Sequence, residues 1–344
     1  MSTTDRSVLS ILVVGCGSIG QRHIRNLQAL GTRMIAACDL DGALLDRVVS
    51  EFNVVGYRVY AEALDKVSPD AVVICTPPPL HISQAMDAIA RGAHVFVEKP
   101  ISHSLDGTDD LIQVAATAKR VIQVGYNFRF HRGLKRVKAL VEEGTIGRVL
   151  WARAEFGQYL PEWRPMQDYR TSYTAHRSLG GGIILDSSHE IDYMRWLFGE
   201  IDQVYCLAGT LSDLEVAAED TACMTVHFAS GVVGQIHVDF VQRVKTRNCK
   251  IVGTLGTIYW DNWDASVKVF TIDSGKWERI EAPSDTNEKY FAEMNSFLGC
   301  LDGSVKPVVD AESGRRTLAV ALAAQHSART NATVAIPFIG EHIG

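Results

Sequence analysis

The sequence predicts an α/β protein in two parts: a doubly wound parallel sheet, then an α+β domain built mainly on antiparallel strands. Three observations carry this. Apolar strand-like runs alternate with helical patterns up to residue 124, as parallel βα units require. A GxGxxG, Gly15 to Gly20, closes the first apolar run. Beyond residue 200, short β-rich runs separated by turn residues replace the alternation. The expected domains are 1–124 and 125–344.

The first run, Ile11-Leu12-Val13-Val14, suits a strand buried on both faces. Gly15 permits the tight turn out of it, Gly17 lets a pyrophosphate approach the backbone, and Gly20 lets the next helix pack against the sheet. Ser18 and Ile19 open that helix, whose N–H groups and positive dipole end favour phosphate. Ile24, Leu27 and Leu30 keep helical spacing, and Gly31 falls at the C-cap. A second strand, Met34 to Cys38, ends at Asp39, 19 residues past Gly20. A carboxylate there bonds both ribose hydroxyls of an adenosine and repels a 2′-phosphate, which favours NAD over NADP. Leu40 offers nothing to a phosphate; Arg33 and Arg47 remain alternative phosphate partners.

The alternation then continues with a helix over 41–52, a short strand at 56–57 and a helix over 61–67. A strand over 71–75 stops at Thr76-Pro77-Pro78-Pro79, a helix follows to Arg91, and a strand over 94–97 stops at Glu98-Lys99-Pro100. A helix over 105–118 and a strand over 121–124 complete the first domain. Ligands bind at the carboxyl ends of such strands, so cofactor contacts are expected from the loops at Gly15, Asp39, Thr76 and Glu98.

In the second part, 133–143 reads as a helix and 149–156 as a strand. The irregular segment 157–178 holds Tyr159, Trp163, Tyr169 and Tyr173, too aromatic for disorder and long enough to be functional. Strands are expected over 221–228, 232–240, 248–253, 256–260 and 267–272, and closing helices over 288–301 and 311–329.

Two places carry chemistry. Lys99 lies at a strand's carboxyl end, within reach of the nicotinamide end of a dinucleotide; a solvated surface lysine is the alternative. After Gly180-Gly181-Gly182, a helix from Ile184 to Phe198 would put Asp186 and His189, at i and i+3, on one face. A histidine steadied by a carboxylate suits proton transfer, and equally reads as a structural pair. The glycines would allow close approach of backbone to ligand or cofactor. No third metal-ligating residue stands nearby, so no metal is expected. Arg129, Arg164 and Arg170 could pair with a carboxylate or phosphate, and Tyr169 could stack on a pyranose.

Composition narrows the class. The net charge is −6 with no basic block, which argues against nucleic acid. Seven scattered cysteines without a CxxC fit a reducing compartment. No apolar run spans a bilayer and the first residues lack a signal-peptide core. The expectation is a cytoplasmic protein without a membrane partner.

Taken together, the glycine loop, Cys75-Thr76-Pro77 with His81, Glu98-Lys99-Pro100, Gly125-Tyr126-Asn127-Phe128-Arg129-Phe130, and the triple glycine followed by Asp186, His189 and Asp192 resemble the Gfo/Idh/MocA oxidoreductases over nearly the whole length. The resemblance implies a Rossmann domain and a C-terminal α+β domain with a large, mainly antiparallel open sheet, through which members form homodimers or homotetramers. It implies NAD(P)-dependent redox chemistry at a carbinol of a sugar, cyclitol or sugar derivative. Lys99 matches the family's catalytic lysine, His189 its catalytic histidine and Asp186 the preceding acid, here three residues away where many members have four. Thr76, Pro77, His81, Glu98 and Asn127 match cofactor-side positions, and Tyr126 a substrate-side one. The segment from Tyr159 to Arg170 is similar to members encoded with nonulosonic-acid and surface-glycan pathways. Two rivals stay open: a redox-initiated lyase or glycosidase that shows no net NADH, and a sensor that binds NAD and sugar without turnover.

Overall fold

Six parallel strands form the first sheet: β1 (Ser10–Val14), β2 (Met34–Cys38), β3 (Val55–Tyr57), β4 (Ala71–Ile74), β5 (His94–Val97) and β6 (Ile122–Val124). Their order is β3-β2-β1-β4-β5-β6. The structure is a computed structural model that describes residues 5–283 and 285–337. The helices between these strands are α1 (Ser18–Ala29), α2 (Gly42–Phe52), α3 (Tyr60–Val67), α4 (His81–Ala90) and α5 (Thr108–Ala118). The chain steps outward from β1 to β3, then returns to β4 on the other side of β1. That reversal sets a crevice at the carboxyl ends of β1 and β4, where open α/β sheets bind ligands.

Local chemistry explains the elements. Strands β4 and β5 are buried along their whole length, as a sheet covered on both faces demands. Helix α1 turns Ile24 and Leu27 onto Ile11 and Val13. It ends as expected at Gly31, with the Gly31 and Thr32 amides donating back to the carbonyls of Gln28 and Leu27. Asp41 caps α2 by accepting from the Leu44 amide at 3.1 Å.

The second sheet has nine strands in the order β14-β13-β12-β11-β7-β10-β9-β8-β15. They are β7 (Val149–Gly157), β8 (Ile201–Gly209), β9 (Thr221–Phe228), β10 (Val233–Asp239), β11 (Thr246–Gly253), β12 (Gly256–Asp261), β13 (Ser266–Thr271), β14 (Trp277–Glu281) and β15 (Val334–Ala335). All neighbours are antiparallel except β7 and β10, which run parallel. The helices are α6 (Arg132–Glu142), α7 (Ile183–Asp186) and α8 (Ser188–Phe198). Buried and outward residues alternate along β9, so one face of the sheet is covered and the other open. On the covered side Trp260 is fully buried, with His131 and Tyr193 edge-on at 5.2 and 6.0 Å. Such pairs add about 0.5–1.5 kcal/mol each beyond their buried area.

By compactness the chain divides into 5–127 with 286–315, and 128–285 with 316–337. The first group includes α9 (Glu288–Cys300), whose Met294, Phe297 and Leu298 join the core of Ile11, Val13 and Phe96. Gln123 Nε2 donates to the Glu293 carbonyl at 3.1 Å. The last helix is α10 (Ala311–Thr330). Among the described residues no helix is long and apolar enough to cross a membrane.

Two details differ from expectation. The single helix over 184–198 is broken at Ser187, with φ −100° and ψ 27°, into α7 and α8. Strands β14 and β15 were not expected: β14 is largely exposed and β15 is two residues long, so neither shows strong alternation.

Candidate active site

The glycine loop is shaped for a dinucleotide. Gly15 has φ +91°, and a Cβ on it would lie 2.7 Å from the Cys75 carbonyl. A Cβ on Gly20 would collide with the Gly15 carbonyl oxygen, so α1 can pack this close only with glycine there. At Gly17 the same test meets nothing within 4 Å, which leaves open space over the start of α1. No side chain caps that helix end, and uncapped first-turn amides at a helix N-terminus suit a pyrophosphate. Asp39 stands at the end of β2. Its carboxylate accepts from the Cys16 amide at 2.6 Å and the Asp41 amide at 2.9 Å, fixing its position at the loop. These features fit NAD. Arg58, unremarked in the sequence, donates to the Leu40 carbonyl at 3.3 Å beside Asp39.

At the carboxyl end of β5, Glu98 accepts from the Lys99 amide at 3.2 Å. Its other oxygen lies 2.7 Å from Nε2 of His23, a fully buried residue of α1. Glu98, expected at the cofactor, is thus held from below by the glycine-loop helix. His23 was missed, although a polar residue on the apolar face of α1 is a visible signal. Lys99 itself is half-buried at this strand end. Thr76 Oγ1 donates to Gln84 at 2.6 Å. His81 is 1% exposed, with its ring nitrogens 2.9 Å from the Pro100 carbonyl and 2.8 Å from the Thr76 carbonyl. Burial holds its pKa below the ordinary histidine value. His81, expected as a cofactor contact, braces the Thr76-Pro77 turn against the Lys99-Pro100 turn. Asn127 is buried and bonds the Tyr290 phenol, whose ring lies under the Arg22 guanidinium at 4.3 Å. Tyr126, expected on the substrate side, is fully buried.

In the other unit, Asp186 ends α7 and His189 opens α8. Asp186 accepts from the Tyr173 hydroxyl at 3.0 Å and the Thr174 hydroxyl at 2.8 Å. Both donors come from the irregular aromatic segment; sequence spacing gave no sign of them. The His189 ring lies edge-on to Phe128, with centroids 5.1 Å apart. The triple glycine serves the protein's own packing: a Cβ on Gly181 would meet the carbonyls of Tyr173, Thr174 and His176, and one on Gly182 would lie 2.6 Å from Glu219. The close approach expected toward a ligand is made by the chain itself.

Arg129 was expected to meet a substrate anion. Instead it makes a bidentate pair with Asp192, Nε and Nη2 donating at 2.9 and 2.8 Å. Arg170 is likewise paired with Asp168 and Glu215 at 2.8 and 3.0 Å. Arg164 and Tyr169 do come together. With Leu160, Trp163, Gln167, Ser172 and Thr174, whose hydroxyl bonds Asp186, they line a small concavity. The Tyr169 hydroxyl accepts from the Glu215 amide at 3.2 Å, and the ring of Tyr159 is covered by Arg243 at 3.5 Å.

Comparison with known proteins gives the family. Residues 9–126 match the model of an oxidoreductase family with an NAD-binding Rossmann fold, and 134–259 match the GFO/IDH/MocA C-terminal domain. The chain is 28% identical over 338 residues to myo-inositol 2-dehydrogenase of Thermotoga maritima, covering 93% of this chain and 96% of that one. It is 30% identical over 276 residues to the uncharacterised oxidoreductase YrbE of Bacillus subtilis, 76% of each. The WlbA dehydrogenase of Bordetella pertussis, solved with NADH and UDP-GlcNAcA, shares the fold with a TM-score of 0.83 at 22% identity, over 96% of this chain and 98% of that one. With each half matched by the family's own model for that half, the chain belongs to the Gfo/Idh/MocA family of NAD-binding oxidoreductases.

Proposed function

We propose that this oxidoreductase moves hydride between a carbinol carbon of a sugar, cyclitol or sugar derivative and NAD, with Lys99 and His189 handling the hydroxyl proton and Asp186 orienting His189. The observation that carries the reading is the end of β5. Lys99 lies at the same carboxyl edge of the sheet as the open Gly17 loop and Asp39, its backbone tied through Glu98 to His23. NAD, when bound, accepts or returns hydride at its nicotinamide ring. As hydride leaves the carbon, the hydroxyl proton must go to a base; an amine or imidazole within hydrogen-bond reach takes it and gives it back in reduction. Asp186, held by Tyr173 and Thr174, is a fixed carboxylate suited to orienting a histidine. The concavity beside it offers an aromatic ring, Tyr169, and a cation, Arg164. That combination suits a ring substrate bearing a carboxylate or phosphate, such as a surface-glycan or nonulosonic-acid precursor. Relatives named for inositol oxidation support the cyclic polyol, and the uronic acid bound by the WlbA dehydrogenase supports the anion.

The test begins with a thermal-shift screen of sugars, cyclitols and sugar nucleotides in the presence of NAD, since a bound substrate stabilises by mass action. NADH formation on the hits follows. Lys99→Ala and His189→Ala should each lower kcat by about 10²–10⁴, the usual size of a lost general acid or base, with NAD affinity little changed. Wild-type kcat across pH in His189→Ala would remove that residue from the mechanism. No net NADH with any bound polyol would favour the redox-initiated lyase.

A further inference from the structure

The carboxyl end of β5 holds a carboxylate that no lysine or arginine pairs with among the described residues. The Glu98 side chain is 12% exposed, and its contacts are the His23 imidazole and the Lys99 amide. A carboxylate this enclosed calls for an opposite charge. We propose that His23 and Glu98 form a redox-reading pair: His23 fixes the Glu98 carboxylate at the nicotinamide end of the cofactor site, where its charge favours oxidised over reduced NAD.

The order of the strands locates that end. On the function proposed above, Asp39 takes the adenosine ribose at the end of β2, and the Gly17 loop takes the pyrophosphate at the end of β1. The sheet runs β3-β2-β1-β4-β5-β6. The second nucleoside therefore continues over β4 toward β5, about 10 Å beyond β1 at ordinary strand spacing. Glu98 and Lys99 follow directly on β5. The inference rests on this placement of the nicotinamide. The ring is a cation in NAD⁺ and neutral in NADH, so a fixed anion near it binds the two forms unequally.

His23 is built to hold that anion and not to neutralise it. It is one of the buried residues of α1, with Ile24 and Leu27, and its ring stands edge-on to Phe96 at 5.0 Å. Nε2 donates to Glu98 Oε1 at 2.7 Å. Nδ1 is buried and has no partner among the described residues. An imidazolium donates from both nitrogens. With no acceptor at Nδ1, the geometry is met by one donating nitrogen, and the carboxylate keeps its charge. An apolar side chain would fill this place without burying an unpaired nitrogen, so packing alone does not explain a histidine here.

With Oε1 held, Oε2 is the oxygen beside the Lys99 amide, which donates to it at 3.2 Å. Gly125 makes room on that side: a Cβ there would lie 3.0 Å from Oε2 and 3.2 Å from the carboxyl carbon. His23 is a positioning residue that acts through Glu98. Lys99 brings the opposite charge to the same turn, so without the carboxylate an oxidised ring would face that cation alone.

The test reads cofactor binding and needs no substrate. NADH is titrated into the native full-length protein by its fluorescence, and NAD⁺ and ADP-ribose are titrated by displacing it. The quantity is the ratio of the NAD⁺ dissociation constant to that of NADH. Glu98→Gln keeps the shape and removes the charge; it should raise the ratio about tenfold and leave ADP-ribose binding unchanged. His23→Leu should raise it by less. His23→Gln, which can still donate to Oε1, should stay near wild type. If Glu98→Gln does not fold, Gly125→Ala carries the test, because its methyl displaces the carboxylate and should raise the ratio too. An unchanged ratio in folded Glu98→Gln overturns the proposal, as does equal weakening of NAD⁺ and NADH. A wild-type ratio in His23→Leu overturns it as well. The emission of bound NADH in Lys99→Ala separates this failure from a misplaced ring. Altered emission with an unchanged Glu98→Gln ratio refutes the pair alone; unaltered emission refutes the placement of the nicotinamide with it.

Discussion

Arg129 tests the difference between the sequence reading and the structure. Its guanidinium and the Asp192 carboxylate are 11% and 1% exposed, and Asp192 Oδ1 has one further donor, the Thr317 hydroxyl at 3.3 Å. Removing either charge leaves the other buried, at a cost of about 3–5 kcal/mol. Arg129→Ala and Asp192→Ala should therefore each lower stability by that amount. At about 2–4 °C per kcal/mol for a unit of this size, the melting temperature should drop by about 6–20 °C. Replacing both by apolar residues of similar volume, Arg129→Met with Asp192→Leu, removes both uncompensated charges and should recover most of the loss. The assay is a double-mutant cycle by urea unfolding and scanning calorimetry. Single losses under about 1 kcal/mol, or a double loss equal to the sum of the singles, would refute a buried coupled pair. A raised KM with unchanged melting in Arg129→Ala would return Arg129 to the substrate.

Asp39→Ala should erode the preference for NAD, and more than charge removal alone would give, because the Arg58 guanidinium at Leu40 is on hand for a 2′-phosphate. Comparing kcat/KM for both cofactors in Asp39→Ala and in Asp39→Ala with Arg58→Ala checks this; an unchanged ratio refutes it. Gly20→Ala forces a methyl against the Gly15 carbonyl, which cannot swing away as a side chain would, so we expect about 1–3 kcal/mol of overpacking, read as weaker NAD binding by calorimetry. Arg164→Ala should raise KM for an anionic substrate more than it lowers kcat; unchanged kinetics on the true substrate would return the concavity to packing.

Much of the first unit was legible because its signals are local. A buried parallel strand is a continuous apolar run, and Gly20 answers a steric demand from Gly15, five residues before it. The partners that hold the site were not legible because they are distant in sequence. Asp192 claims Arg129 from 63 positions away, and His23 reaches Glu98 across 75. The purpose of Gly181, whose missing side chain makes room for the carbonyls of Tyr173, Thr174 and His176, was hidden because the segment just before it is irregular and offers no periodicity to read. Antiparallel strands in the second sheet announced themselves by alternation, whereas the parallel pairing of β7 with β10 depends on which strand lies between its neighbours. The break at Ser187 left no mark in the helical spacing of Asp186 and His189.

The placement of α9 bears on how the protein is made. Met294, Phe297 and Leu298 fill the core beneath β1, and the Gln123 side chain closes on the Glu293 carbonyl. A nascent chain that has reached residue 127 holds all six strands of the first sheet but not this apolar stopper. At cellular synthesis rates of about 5–20 residues per second, the ribosome needs on the order of ten seconds more to deliver α9. Through that interval the NAD-binding sheet waits with Ile11, Val13 and Phe96 incompletely covered, while eight of the nine strands of the second sheet are synthesised. The domain translated first thus cannot finish folding until most of the second sheet has been made.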